Sequence, residues 1–173
     1  MLYRYRMKQL LLIRHAKSSW DSLGLSDHDR PLNDRGERDA PAMAAALSQR
    51  GVQPDGIVSS TALRAITTAR VLADGLGYPS EEIRETSGLY LASARRILQE
   101  VQQLQEEWET AMLFGHNPGM HDAADMIAGD AGIDHFPTLA VARIELDVDY
   151  WGEVEAGSGL LLELLTPRVL RST

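Results

Sequence analysis

The stretch LLLIRHAKSS, residues 10–19, decides how the rest of the chain is read. Leu10, Leu11, Leu12 and Ile13 are four apolar residues in succession, behind Lys8 and Gln9. So short and continuous a run predicts a strand buried on both faces, as in a parallel sheet covered by helices. Arg14 and His15 then fall where the strand gives way to a loop. In an open α/β sheet ligands sit in the crevice beyond the carboxyl ends of the strands, so a cationic pair there occupies a binding position. The dipeptide alone carries little, because fifteen arginines and five histidines in 173 residues make about 0.4 Arg-His pairs expected by composition.

The chain has the length of one ordinary domain, expected to occupy residues 8–173. Residues 1–7 are read as a disordered extension or an upstream start ahead of Met7. Cysteine is absent, which excludes disulfides, a thiolate nucleophile and Cys-ligated zinc or iron–sulfur centres. A formal net charge of −8 argues against a nucleic-acid partner, since such binding rests on clustered Lys and Arg neutralising phosphates. Any anion site must then be a local cationic pocket in an acidic body. With no apolar run of membrane-spanning length and no signal-peptide core, the expectation is a cytoplasmic protein with no membrane partner. His28 between Asp27 and Asp29 is read as a solvent-facing loop group, and no metal or other cofactor is expected.

Hydrophobic spacing orders the elements. After the first strand comes a long polar loop, residues 20–35, of the kind that in compact domains is functional or mobile. Ala42, Met43, Ala46 and Leu47 then mark a helix over 36–50 that Gly51 closes. Gly56-Ile57-Val58 is a second strand, and Ser59-Ser60-Thr61 is read as the N-cap of the helix carrying Ala62, Ile66, Ala69, Ala73 and Leu76. Residues 83–91 suggest an irregular third strand, and Ser93 caps a helix with Ile97, Val101, Leu104 and Trp108 as its buried stripe. Thr110 to Phe114 is a fourth strand, followed by GHNPG, in which Asn117 is expected to cap a helix begun by Pro118. Residues 139–148 and 160–165 read as an antiparallel pair at a sheet edge. The order predicts an α/β fold: a three-layer α/β/α sandwich with a mostly parallel central sheet and an antiparallel edge.

Two strands in this order end alike, one in Arg14-His15 and one in Gly115-His116, and Arg64 lies near the start of the helix after strand two. Parallel strands present their carboxyl ends on one edge, so these four residues can converge with two helix N-termini in a phosphate site. Two guanidinium groups clamp a phosphoryl group and discourage a nearby imidazole from protonating. A histidine held neutral is a nucleophile, so His15 is the candidate to attack phosphorus while Arg14, Arg64 and His116 stabilise the equatorial oxygens. Lys17, Ser18 and Asp21 follow His15 closely enough to line the same site.

The runs LLLIRHAKSSW, DRPLNDRGERDA, SSTALRAITTA and LFGHNPG together resemble the histidine phosphatase superfamily, whose fold is phosphoglycerate-mutase-like, and most closely its SixA-type phosphohistidine phosphatases. The resemblance runs from about Lys8 to the end of the chain. It implies that His15 is the phosphorylated histidine, Arg14 and Arg64 the phosphate-binding arginines, His116 the second histidine and Ser18 a phosphate contact. The family's frequent RHG is Arg14-His15-Ala16 here, a variant seen in SixA-like members. Its asparagine six residues after the nucleophile is Asp21. Mutase-like members place a general-acid glutamate near the positions of Tyr90 and Leu91, where this chain has no carboxylate.

A missing acid bears on substrate. An alkoxide leaving group needs a positioned proton donor, worth roughly 10²- to 10⁴-fold, whereas imidazole leaving phosphohistidine needs less help. The expected activity is therefore a metal-independent phosphatase acting through a phosphohistidine enzyme intermediate on phosphohistidine in a phosphorylated protein, such as a phosphorelay component. The alternatives are a phosphomonoesterase acting on a small phosphorylated metabolite, with Asp21 or Glu85 as its acid, and a binding module without turnover.

Overall fold

The computed structural model describes residues 7–21, 23–129 and 131–172, so the expected extension lies outside the described residues apart from Met7. A single six-stranded sheet is built from β1 (Lys8–Arg14), β2 (Gly56–Ser60), β3 (Arg84–Thr86), β4 (Thr110–Gly115), β5 (Val141–Leu146) and β6 (Gly159–Leu165), in the order β3-β2-β4-β1-β5-β6. β1, β2, β3 and β4 are parallel, while β5 runs antiparallel to β1 and β6 antiparallel to β5. The helices are α1 (Asp34–Gln49), α2 (Leu63–Gly75), α3 (Ala94–Gln102), α4 (Gly119–Ile127) and α5 (Pro167–Arg171).

The pleat of β1 explains why its apolar run is unbroken. Leu10 and Leu12 point into the core shared with α3 and α4, whereas Leu11 and Ile13 point into the one shared with α1 and α2. All four are at most 1% exposed, each burial being worth about 2 kcal/mol. β4 repeats the pattern, with Ala111 and Leu113 on one face and Met112 and Phe114 on the other. The single cationic side chain at the start of β1, Lys8, is buried too, and its ammonium is satisfied by the Glu106 and Trp108 carbonyls at 3.0 and 2.9 Å.

Where details differ from the sequence reading, local geometry is the reason. The third strand shortens to Arg84–Thr86 because Ser87–Leu89 coils into a 3-10 turn capped by Thr86. Leu104 and Trp108 lie beyond the end of α3 and pack from the connection instead. Ser59, Ser60 and Thr61 do not cap α2, whose N-cap is Ala62 without a side-chain bond. Pro118 is the cap residue of α4 rather than its first helical residue, while the Asn117 side-chain oxygen accepts from the His121 N–H at 3.3 Å.

Gly36 pins the loop after β1 against the first turn of α1. A Cβ at this position would collide with the backbone carbonyl of Lys17, the same carbonyl that accepts a 3.0 Å bond from Asn33 N–H. Backbone cannot yield as a flexible side chain can, so Gly36→Ala is expected to cost about 2 kcal/mol or more and lower the melting temperature by roughly 5 °C. Gly152→Ala, where a Cβ meets only Gln102 O at 3.9 Å, serves as a control expected to stay within about 0.5 kcal/mol in the same thermal melts.

Candidate active site

Register brings the two histidines together. Arg14 of β1 is paired with Gly115 of β4, and the ladder extends one step through the 3.1 Å bond from His15 N–H to Gly115 O. His15 and His116 are the next residues on adjacent parallel strands, with ring centroids 5.2 Å apart. β2 contributes from the other side, and Ser60 Oγ at its end lies 2.8 Å from His116 Nε2. Arg64, in the first turn of α2, reaches between the rings and is only 2% exposed.

The hydrogen bonds assign a tautomer to each ring. His15 Nδ1 is 2.7 Å from Ala16 O, an acceptor only, so Nδ1 carries the hydrogen and the lone pair is left on Nε2. Arg64 Nε–H donates to that lone pair at 3.3 Å. The Nη2 group of Arg64 donates to His116 Nδ1 at 3.3 Å, which leaves the His116 Nε2–H to donate to Ser60 Oγ. Both imidazoles are neutral. Burial, with the neighbouring His116 and the two guanidinium groups, lowers His15 to about 3, and burial with Arg64 lowers His116 to about 4.

Arg64 is held by more than the histidines. Its Nη1 donates to Asp27 O at 2.7 Å and its Nη2 to Asp27 Oδ2 at 3.0 Å. The same carboxylate oxygen accepts from Tyr90 Oη at 2.6 Å, and the other pairs with Arg30 Nε at 3.3 Å. The Tyr90 bond, then Arg64, holds Asp27 down to about 2, so it is fully ionised at neutral pH. Tyr90 also stands edge-on to the His116 ring at 5.5 Å and to His28 at 5.0 Å, and His28 Nε2 bonds Thr61 Oγ1 at 2.8 Å. Thr68, one turn after Arg64, accepts from Ala16 N–H at 3.0 Å and donates to Arg64 O at 2.7 Å, tying the loop after His15 to α2.

Arg14 completes the group. Its Nη1 donates to Phe136 O at 3.2 Å, while its Nε is buried with no hydrogen-bond partner among the described residues. Burial and the nearby Arg64 lower its pKa. A buried, unpaired guanidinium N–H facing a second guanidinium is an anion site, since an oxyanion would satisfy the donor and relieve the repulsion.

The structure thus gathers Arg14, His15, Arg64 and His116. Ser18 is buried but is engaged through its backbone in an isolated bridge to Leu32. Lys17 and Asp21 are exposed, and Glu85 is exposed on β3 opposite Ser59, with no hydrogen bond to the four among the described residues. Asp27 and His28 keep the solvent exposure expected of the loop yet also contact the site, and Ser60 is a partner of His116 rather than a cap. Asp27, Tyr90, Ser60 and Thr68 were not legible as site residues, although one signal pointed to Asp27: an arginine buried beside two histidines needs an anionic partner, and the loop of residues 20–35 is rich in acids.

Comparisons with known proteins agree with this geometry. The profile of the histidine phosphatase superfamily (branch 1) matches residues 10–126. A chloroplastic protein of Arabidopsis thaliana is 35% identical over 160 residues, 88% of this chain and 72% of its own. A Mycobacterium tuberculosis protein is 30% identical over 165 residues, 90% of this chain and all of its own. Among solved structures, a protein assigned as phosphohistidine phosphatase SixA from Agrobacterium tumefaciens superposes with a TM-score of 0.78 at 29% identity, covering 92% of this chain and 98% of the other. The protein histidine phosphatase SixA in complex with tungstate gives 0.80 at 24%, covering 94% and 99%. Family profile, relatives and fold coincide: the chain belongs to the histidine phosphatase superfamily, on its SixA-like side, and is a phosphatase.

Proposed function

We propose that the protein hydrolyses phosphohistidine on a phosphorylated protein, through a phosphoryl group carried transiently on His15. The observation that carries this reading is the His15 ring itself: Nδ1–H is committed to Ala16 O, and the Nε2 lone pair is directed at the guanidinium that would hold the phosphoryl group. In the first step Nε2 forms a bond to phosphorus as the bond to the leaving imidazole breaks, and that imidazole takes a proton from solvent. Arg14 and Arg64 face the equatorial oxygens, where charge accumulates, and His116 holds the Arg64 guanidinium through its Nδ1 lone pair. Water then attacks the phosphoryl-His15, releasing inorganic phosphate and returning Nε2 to its starting state.

The carboxylate nearest to these groups by hydrogen bonding is Asp27, and its chemistry supports a leaving group that needs little acid catalysis. An aspartate held at about 2 by Tyr90 and Arg64 has no proton to give at neutral pH. Its role is to position Arg64. Tyr90, whose pKa is raised by the bond it donates to Asp27, lies in the segment where the family resemblance implies a glutamate in mutase-like members.

His15→Ala is expected to abolish turnover of a phosphohistidine peptide and of p-nitrophenyl phosphate alike, together with the trapped phosphoenzyme; retained turnover of either overturns the reading. Asp27→Asn is expected to lose about tenfold in kcat/KM on both an activated donor and an alkyl phosphate, because Arg64 is displaced in each case. A loss confined to the alkyl phosphate would instead make Asp27 a proton donor and favour the small-molecule phosphomonoesterase. Proton linkage provides a third check. Both histidines are depressed in the folded state from 6.5, so stability is full above about pH 6.5 and falls as pH drops toward 4 and 3. Nitrogen-15 spectra at pH 5.5 should show His15 as the Nδ1–H and His116 as the Nε2–H neutral tautomer, while denaturation midpoints decline between pH 6.5 and 4.

A further inference from the structure

Beside the phosphate pocket lies a cleft of about 610 Å³ that shares Arg14 with it and is lined further by Arg35, Arg168, His135 and Asp134. Arg35 and Pro167 form a common wall with a second cavity of about 500 Å³, whose other charged groups are Arg38, Arg171 and Asp39. Five of the chain's fifteen arginines therefore line these two adjoining cavities, against two lining carboxylates, in a molecule of net charge −8. Asp39 is already engaged, 3.5 Å from Arg35 and 3.0 Å from Arg171, and it holds those two guanidinium groups side by side. Arg38 and Arg168 are exposed and have no ion-pair partner among the described residues.

We propose that these arginine-lined cavities form a docking track for an acidic segment of the phosphorylated protein whose phosphohistidine enters the pocket, a proposal that rests on the phosphatase reading above. Charge complementarity identifies the occupant as acidic. Extent identifies it as polypeptide: two adjoining cavities, each of a size that takes a small molecule, suit an extended chain that begins at Arg14 and continues past Arg35 and Arg168 to Arg38 and Arg171. Acidic side chains on that segment would pair with guanidinium groups that are half exposed, Arg35 at 50% and Arg171 at 56%. Contacts of this kind act on encounter and binding, weaken with salt and leave the chemical step alone.

The test uses the full chain, the double variant R35Q/R168Q and three donors: free phosphohistidine, a phosphohistidine peptide flanked by Asp and Glu, and the same peptide with Asn and Gln. The wild type is expected to show a KM about tenfold lower for the acidic than for the neutral peptide. The double variant should erase that advantage with kcat retained, and should leave free phosphohistidine unaffected. Equal KM for the two peptides in the wild type, or an equal loss on all three donors in the variant, overturns the track. Fluorescence anisotropy of the unphosphorylated acidic peptide decides independently of turnover. Binding that weakens with salt and in R35Q/R168Q supports the track even if no donor is hydrolysed. Absence of binding, or binding of inorganic tripolyphosphate in its place, overturns it.

Discussion

Everything at this site depends on how one buried guanidinium is satisfied. Arg64 is nearly inaccessible, and a charge so placed is tolerated only when its N–H groups find acceptors. They find His15 Nε2, His116 Nδ1, and both the carbonyl and the carboxylate of Asp27. Together these contacts constrain three elements: the end of β1, the end of β4 and the 3-10 turn Asp27–Asp29. Because Arg64 can donate but never accept, each imidazole must present a lone pair to it. Those lone pairs fix both tautomers, and burial, reinforced by the cation beside them, keeps both rings neutral. The geometry of the cluster and the lone pair each ring presents thus converge on a single side chain.

That arrangement needs support from outside the pocket. Asp27 sits on an exposed turn, yet Tyr90 and Arg30 hold it from either side. Arg30 is in turn covered by Trp20, whose ring lies 3.4 Å from its guanidinium carbon, while the Arg30 Nη1 reaches Ser19 O at 3.4 Å. The long polar loop after β1 is therefore wrapped over the site as a positioning element. Thr68 does the same from beneath, linking Ala16 N–H to Arg64 O. Such a shell is what holds a nucleophile and its phosphate-binding groups within the tolerance that catalysis demands.

Much of the fold was legible because buried parallel strands have few ways to be written. The unbroken apolar runs of β1 and β4, the glycines after α1 and α2, and the glycine-bearing loops of the β5-β6 pair each state a local preference that the tertiary structure keeps. The readings that changed lie where side chains had competing partners. Ser60 is a sound capping residue on its own, but its hydroxyl is used by His116 and accepts from Ala62 N–H at 3.2 Å. The third strand stops early because Thr86 caps a turn instead of continuing the ladder. Glu85 and Asp21 are available as acids by position in the chain, and neither carboxylate hydrogen-bonds to the four clustered residues among the described ones.

The sequence by itself determined the α/β order and the cationic strand ends, and offered Arg14, His15, Arg64 and His116 as candidates, because periodicity, strand ends and helix starts are local properties. Only the tertiary structure decided which nitrogen of each histidine carries the hydrogen, that Asp27 and Tyr90 complete the hold on Arg64, and that a set of arginines lines cavities adjoining the pocket. The physical reason is that these depend on partners between 37 and 122 residues apart: Arg64 and Tyr90 on Asp27, His116 on Arg64 and Ser60, Arg14 on Phe136. Hydrogen-bond acceptors and opposing charges at such separations are chosen by the register of the sheet and the path of the loops, and no window of sequence contains both halves.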